Sequence, residues 1–225
     1  MRPLGARWAR LRAVLFDLDG TLIDSAEDLA RAANAMRAQR GLALLPLAQY
    51  RPHGGSGARG MLGQAFGSAP GQAGYEELKR EFLDRYEELM YDRTRPFAGI
   101  EAELAGLAAA GLAWGIVTNK AERFALPLTS ALGLRAATVV GGDTTGHAKP
   151  HPAPLLEAAL RLGVAPQACL YVGDDERDII AGRAAGMATA VAAWGYLGPQ
   201  ADHDRWGADI ALAAPGDLLK QLGLA

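Results

Sequence analysis

Asp17 and Asp19 flank a single leucine at the end of an apolar run, in Ala13-Val14-Leu15-Phe16-Asp17-Leu18-Asp19-Gly20-Thr21. An aspartate there can attack phosphorus and form an aspartyl phosphate. A carboxyl two positions on can hand a proton to the leaving oxygen and later take one from water. Asp17 is therefore the candidate nucleophile and Asp19 the candidate acid/base. Desolvating an unpaired carboxylate costs several kcal/mol, on the order of ~3 or more, so acids ending a buried strand need compensation, and a hard cation is the obvious source. Gly20 lets the chain turn away sharply, and Thr21 can hydrogen-bond within that turn.

Three further runs end in polar side chains. In Gly115-Ile116-Val117-Thr118-Asn119-Lys120, the hydroxyl of Thr118 and the amide of Asn119, with the free N–H groups of a following helix, suit phosphate oxygens. Either residue would also serve as an N-cap. Lys149-Pro150-His151-Pro152 holds Lys149 on a stiff segment, from which its ammonium can neutralise both a phosphoryl group and Asp17. Val172-Gly173-Asp174-Asp175-Glu176-Arg177-Asp178-Ile179 supplies a dense set of acids. With Asp17 these offer the oxygen ligands that Mg2+ requires. A dipole-favoured acidic helix start accounts for Asp175 and Glu176 but not for the whole set.

These residues need a scaffold that gathers them. Short Val/Ile/Leu-rich runs alternating with helical patterns indicate a parallel sheet built from βαβ units. Strands are expected at Ala13 to Asp17, Ala113 to Thr118, Ala137 to Gly141, Cys169 to Gly173, Thr189 to Ala192 and Ala208 to Leu212, with helices after Thr118, Pro152 and Asp178. Between the first two strands lie helical patterns at Ala26 to Arg40 and Glu76 to Tyr91 but no strand. The interval reads as a helical insert, broken by a flexible glycine-rich turn at Pro52 to Gly60 and again at Gly71 to Gly74. Such an insert sits over the carboxyl edge of the sheet as a lid. In its glycine-rich turn His53, Ser56 and Arg59 are the candidates to meet substrate, Arg59 as a bidentate partner for a carboxylate.

The chain has 225 residues and half of them are hydrophobic, enough for one α/β domain with a smaller insert. A net charge of -2 gives no electrostatic case for nucleic acid or an anionic membrane, and a small molecule is the expected partner. No uncharged apolar run reaches the ~18 residues of a membrane span. Arg2, Arg7, Arg10 and Arg12 around Trp8 lack the apolar stretch of a signal peptide and read as a disordered lead-in. Cys169, the single cysteine, lies in an apolar run and reads as a buried strand residue compatible with a reducing cytosol. A cytoplasmic monomer or weak homodimer is expected.

Asp17-Leu18-Asp19-Gly20-Thr21, Thr118-Asn119, Lys149-Pro150 and Gly173-Asp174 with Asp178 together resemble the haloacid dehalogenase superfamily, in its phosphatase branch. The resemblance implies a Rossmann-like core over 1–21 and 95–225 with a helical cap over 22–94. It further implies Mg2+ held by Asp17, the Asp19 carbonyl and Asp174, phosphoryl contacts from Thr118 and Lys149, and support of the metal site and Lys149 by Asp178. The second aspartate disfavours dehalogenase and phosphonatase activities. Asp17 to Leu29, Lys149 to Leu156 and Tyr171 to Ile179 are similar to bacterial phosphoglycolate phosphatases. Gly111 to Phe124 and Trp206 to Asp209 are closer to phosphatases of N-acetylmuramic acid 6-phosphate. 2-Phosphoglycolate is thus the expected substrate, with the muramic acid phosphate or a sugar phosphomutase reaction as alternatives.

Overall fold

The structure, a computed structural model, describes residues 10–198 and 201–224. Most of the basic lead-in, Arg2, Arg7 and Trp8 included, lies outside them. The first strand, β1 (Ala13–Phe16), has no exposed side chain, because it runs through the centre of a six-stranded parallel sheet. A short ribbon of β2 (Ile23–Asp24) and β3 (Arg95–Pro96) follows it outside the sheet. The other sheet strands are β4 (Ala113–Val117), β5 (Val139–Val140), β6 (Cys169–Gly173), β7 (Ala188–Ala192) and β8 (Ile210–Leu212). Their order is β5-β4-β1-β6-β7-β8. Phe16 is in register with Ile116 on one side and Val172 on the other, so β1, β4 and β6 end at one level. This is the point where the strand order switches sides, and there a parallel sheet opens a crevice for ligands.

Alternation along β1 sends Val14 and Phe16 to one face and Ala13 and Leu15 to the other. The first pair packs in a core with residues of α5 (Ile100–Ala109), α6 (Glu122–Ala131) and α9 (Asp217–Leu222). The second packs with α7 (Ala153–Leu162) and α8 (Glu176–Ala184). Cys169 is buried in that second core, where burial raises its thiol to about 11, so it is a packing residue.

Between β2 and β3 run α1 (Ala26–Gln39), α2 (Leu47–Tyr50), α3 (Gly57–Phe66) and α4 (Tyr75–Leu89). They bury a core of their own, with Leu29, Met36, Tyr50, Met61, Phe82 and Tyr86, and Phe124 of α6 inserts into it from the sheet side. The base of the insert is tied by Asp28, fully buried, which accepts hydrogen bonds from the Arg93 and Thr94 N–H groups and the Thr94 hydroxyl at 2.8 to 2.9 Å.

Three expectations are corrected. The interval between the first two sheet strands does contain strand, the β2/β3 ribbon that brackets the helices, whose two-residue strands are too short to show a period. Pro52 to Gly60 is not a flexible turn: a 3-10 turn at Arg51–Ser56 runs straight into α3. Gly54 there presses on the Tyr196 ring so closely that a Cβ would stand 2.7 Å from its carbons. The helix expected after Asp178 begins earlier, at Glu176, because Asp175 caps it and Asp178 reciprocates in a capping box.

Candidate active site

Lys149 is the hub of the crevice. Its ammonium lies 2.8 Å from Asp17 Oδ1 and 2.7 Å from Asp178 Oδ1. It also donates to the Tyr171 hydroxyl at 2.7 Å and to the Val117 carbonyl at 3.1 Å. Tyr171 in turn donates to Val117 O at 2.8 Å. Burial works against the charge on Lys149, yet Asp17 and Asp178 outweigh it and hold the ammonium above its ordinary value. Asn119 positions this lysine: its side-chain amide donates to Lys149 O at 3.0 Å and accepts the Lys149 N–H at 2.8 Å. The sequence suggested a phosphate contact for Asn119; it lines the cavity, and its side-chain amide engages the Lys149 backbone. Thr118, buried at the end of β4, accepts the Lys120 N–H at 3.1 Å.

Asp19 is held by residues that sequence reasoning passed over. Lys120 places its ammonium 2.9 and 3.0 Å from the two carboxylate oxygens, and the Ser25 hydroxyl donates to Oδ1 at 2.5 Å. Asp19 draws Lys120 upward in pKa against burial, which alone would lower it. The same ammonium lies 4.7 Å from the ring centroid of Tyr86 on α4, so the acid/base candidate is linked to the insert. The one available signal was the position of Lys120 directly after Thr118-Asn119.

Asp174 is fixed by the Thr21 hydroxyl on Oδ1 and the Tyr196 N–H on Oδ2, both at 2.8 Å. Gly20, at φ +93°, abuts Asp174, where any Cβ would collide with the carboxylate. Carboxylate oxygens of Asp17, Asp174 and Asp178 all lie within 4.8 Å of one another. Burial first, and repulsion from Asp17 and Asp178 second, push Asp174 well above the usual carboxylate range. Burial likewise lifts Asp17 to about 6 despite the opposing pull of Lys149. Asp17 Oδ1 is buried and makes no well-aligned hydrogen bond, although Lys149 stands beside it. A buried all-oxygen donor set with more negative charge than Lys149 offsets fits a hard divalent cation.

Above these groups a cavity of about 570 Å3 opens between sheet and insert. Ser56 and Arg59 line it, whereas His53 is exposed and is not among its lining residues. Core and insert are bridged by Arg177, which chelates Asp175 at 2.7 Å and donates to Gly55 O at 3.0 Å. A second bridge runs through Tyr196, whose hydroxyl accepts the Ser25 and Ala26 N–H groups at 2.6 and 3.0 Å. Among the described residues no helix is long and apolar enough to cross a membrane.

Residues 14–192 match the family model described as haloacid dehalogenase-like hydrolase, and the chain belongs to that family. Within it, the fold and the relatives define a phosphatase, a hydrolase of phosphoric monoesters. The chain is 50% identical over 209 residues to the phosphoglycolate phosphatase of Xanthomonas campestris pv. campestris, covering 92% of this chain and 94% of that one. It is 44% identical over 218 residues to the N-acetylmuramic acid 6-phosphate phosphatase of Pseudomonas aeruginosa, covering 96% of each. Its fold is similar to the crystal structure of a predicted phosphoglycolate phosphatase from Haemophilus somnus, with a TM-score of 0.82 and 27% identity over 94% of this chain and 97% of that one.

Proposed function

We propose that this enzyme is a Mg2+-dependent phosphomonoesterase that works through an aspartyl phosphate on Asp17, with 2-phosphoglycolate as substrate. The observation that carries the reading is the pairing of two aspartates with two lysines: Asp17 on Lys149 and Asp19 on Lys120, each within 3.0 Å. One acid can then serve as nucleophile while the other handles protons. The identity of the substrate rests on the 50% identical relative.

Asp17, Asp174 and the Asp19 carbonyl would hold the cation, with Asp178 supporting Asp17 and Lys149. When bound, the cation supplies charge neutralisation and fixes phosphoryl oxygens for in-line displacement. Asp17 attacks phosphorus from the end of β1 while Lys149 neutralises charge on the phosphoryl oxygens. Asp19 protonates the leaving alcohol and then takes a proton from the water that cleaves the aspartyl phosphate. Lys120 and Ser25 keep the Asp19 carboxyl aimed through both steps. Among the described residues the core is taken as the part before 22 and after 94, and the cap, 22–94, excludes bulk water when it is seated. A cytoplasmic location suits the single buried thiol.

A second reading, hydrolysis of N-acetylmuramic acid 6-phosphate, is favoured by the size of the cavity and by the Pseudomonas relative. Mg2+-dependent phosphate release from 2-phosphoglycolate, N-acetylmuramic acid 6-phosphate and common sugar phosphates tests both, with Asp17→Asn as the blank. A kcat/KM at least ~100-fold above the rest, nearly 3 kcal/mol in transition-state binding, identifies the substrate. Ordinary turnover by Asp17→Asn overturns the mechanism.

A further inference from the structure

The cavity holds more positive charge than its own acids neutralise. The carboxylates among its described lining residues are Asp17, Asp19, Asp175 and Asp178, and each already has a cation. Lys149 serves Asp17 and Asp178, Lys120 serves Asp19, and Arg177 serves Asp175, all within 2.9 Å. Three more cations line the same space: Arg59 from α3, Lys79 from α4 and Arg123 from α6. Lys79 has Glu76 at 3.5 Å. Arg59 and Arg123 have no carboxylate partner among the described residues.

Arg123 is also oriented. Its guanidinium carbon lies 4.3 Å from the ring centroid of Phe124, a residue only 3% exposed that lines the cavity as well. The attraction of the cation to the ring holds this exposed side chain over Phe124, while its N–H groups remain free to meet a planar anion. Leu29, Phe82, Leu83, Tyr86 and Phe124 give the cavity an apolar wall. A leaving group therefore meets a phosphoryl-binding floor, an apolar wall and arginines that lack an anion.

We infer that Arg123, assisted by Arg59, forms a subsite for a carboxylate on the leaving alcohol, so that the substrate class is a phosphomonoester of a hydroxy acid or a sugar acid. The inference rests on the phosphatase reading above. 2-Phosphoglycolate and N-acetylmuramic acid 6-phosphate both carry such a carboxylate. They differ in the distance between the two anions and in the apolar bulk that separates them.

Matched pairs test the subsite: 2-phosphoglycolate against 2-hydroxyethyl phosphate, and N-acetylmuramic acid 6-phosphate against N-acetylglucosamine 6-phosphate, which lacks the acid. p-Nitrophenyl phosphate serves as a substrate without a carboxylate. In the wild-type enzyme with Mg2+, the acid member of at least one pair should be preferred by roughly 30-fold in kcat/KM, as a charge-assisted hydrogen bond provides. Arg123→Gln should cut that ratio to below about 3-fold, chiefly through KM, and Arg123→Lys should restore part of it. Equal rates within both pairs for the wild type, or a ratio unchanged in Arg123→Gln, would overturn the subsite while leaving the phosphatase intact. Absence of hydrolysis of every compound, p-nitrophenyl phosphate included, would overturn the phosphatase reading and the subsite with it.

Discussion

Asp17 is placed where the fold least favours a charge, and replacing it should make the metal-free protein more stable. Its carboxyl rises from an ordinary 3.8 to about 6, with burial as the main cause and Lys149 opposing. For an acid raised in this way, the native state keeps its proton while the unfolded chain has already lost one. Stability is therefore full below about pH 4 and falls as pH rises to about 6, with the loss complete above that. The rise from 3.8 to about 6 corresponds to about 3 kcal/mol at neutral pH. Asp17→Asn removes this charge and also relieves the repulsion that, after burial, helps push the Asp174 carboxyl above its ordinary range. In EDTA at about pH 8, the variant should unfold roughly 6–12 °C above the wild type, and the two should converge towards about pH 4. Saturating Mg2+ should stabilise the wild type and narrow the gap, because binding to the native state alone adds stability. Urea or thermal unfolding with and without EDTA at both pH values gives the comparison. An Asp17→Asn protein no more stable than the wild type at about pH 8 in EDTA would refute the argument that the proposed nucleophile is held at a cost to the fold.

Two other perturbations follow from the same geometry. Lys120→Met leaves the buried Asp19 carboxylate, among the described residues, with the Ser25 hydroxyl alone, so stability should drop by roughly 3–5 kcal/mol in urea unfolding. Its kcat should fall by about 100-fold or more, and steady-state kinetics showing a change in KM alone would contradict the positioning role. Gly20→Ala forces a side chain into positive φ, at about 1–2 kcal/mol, and drives its Cβ into Asp174. The Mg2+ concentration for half-maximal activity should then rise at least ~10-fold, and a Mg2+ titration showing no change would contradict the role of Asp174.

Much of the scaffold was legible because it depends on local pattern. An apolar run ending in Asp17-Leu18-Asp19, and others ending at Thr118 and at Asp174, mark strands that carry polar groups at one end. Parallel pairing then brings those ends together, which the register of Phe16 with Ile116 and Val172 bears out. What the sequence could not convey are contacts between residues distant in the chain. Lys120 meets Asp19 across 101 positions, and Tyr196 reaches Ser25 across 171. No period or motif encodes such pairs, since each depends on how a loop is laid over the sheet. The glycine-rich turn at Pro52 to Gly60 shows the same limit. By composition it reads as flexible, and packing on Tyr196 makes it a fixed wall. Thus the parallel sheet, and the placement of Asp17 at the end of its central strand, were determined by the order of residues. The partners that orient Asp19 and Lys149, and the arginines without a carboxylate partner among the described residues, were decided only in the tertiary structure, because charge balance in a cavity depends on every element that lines it.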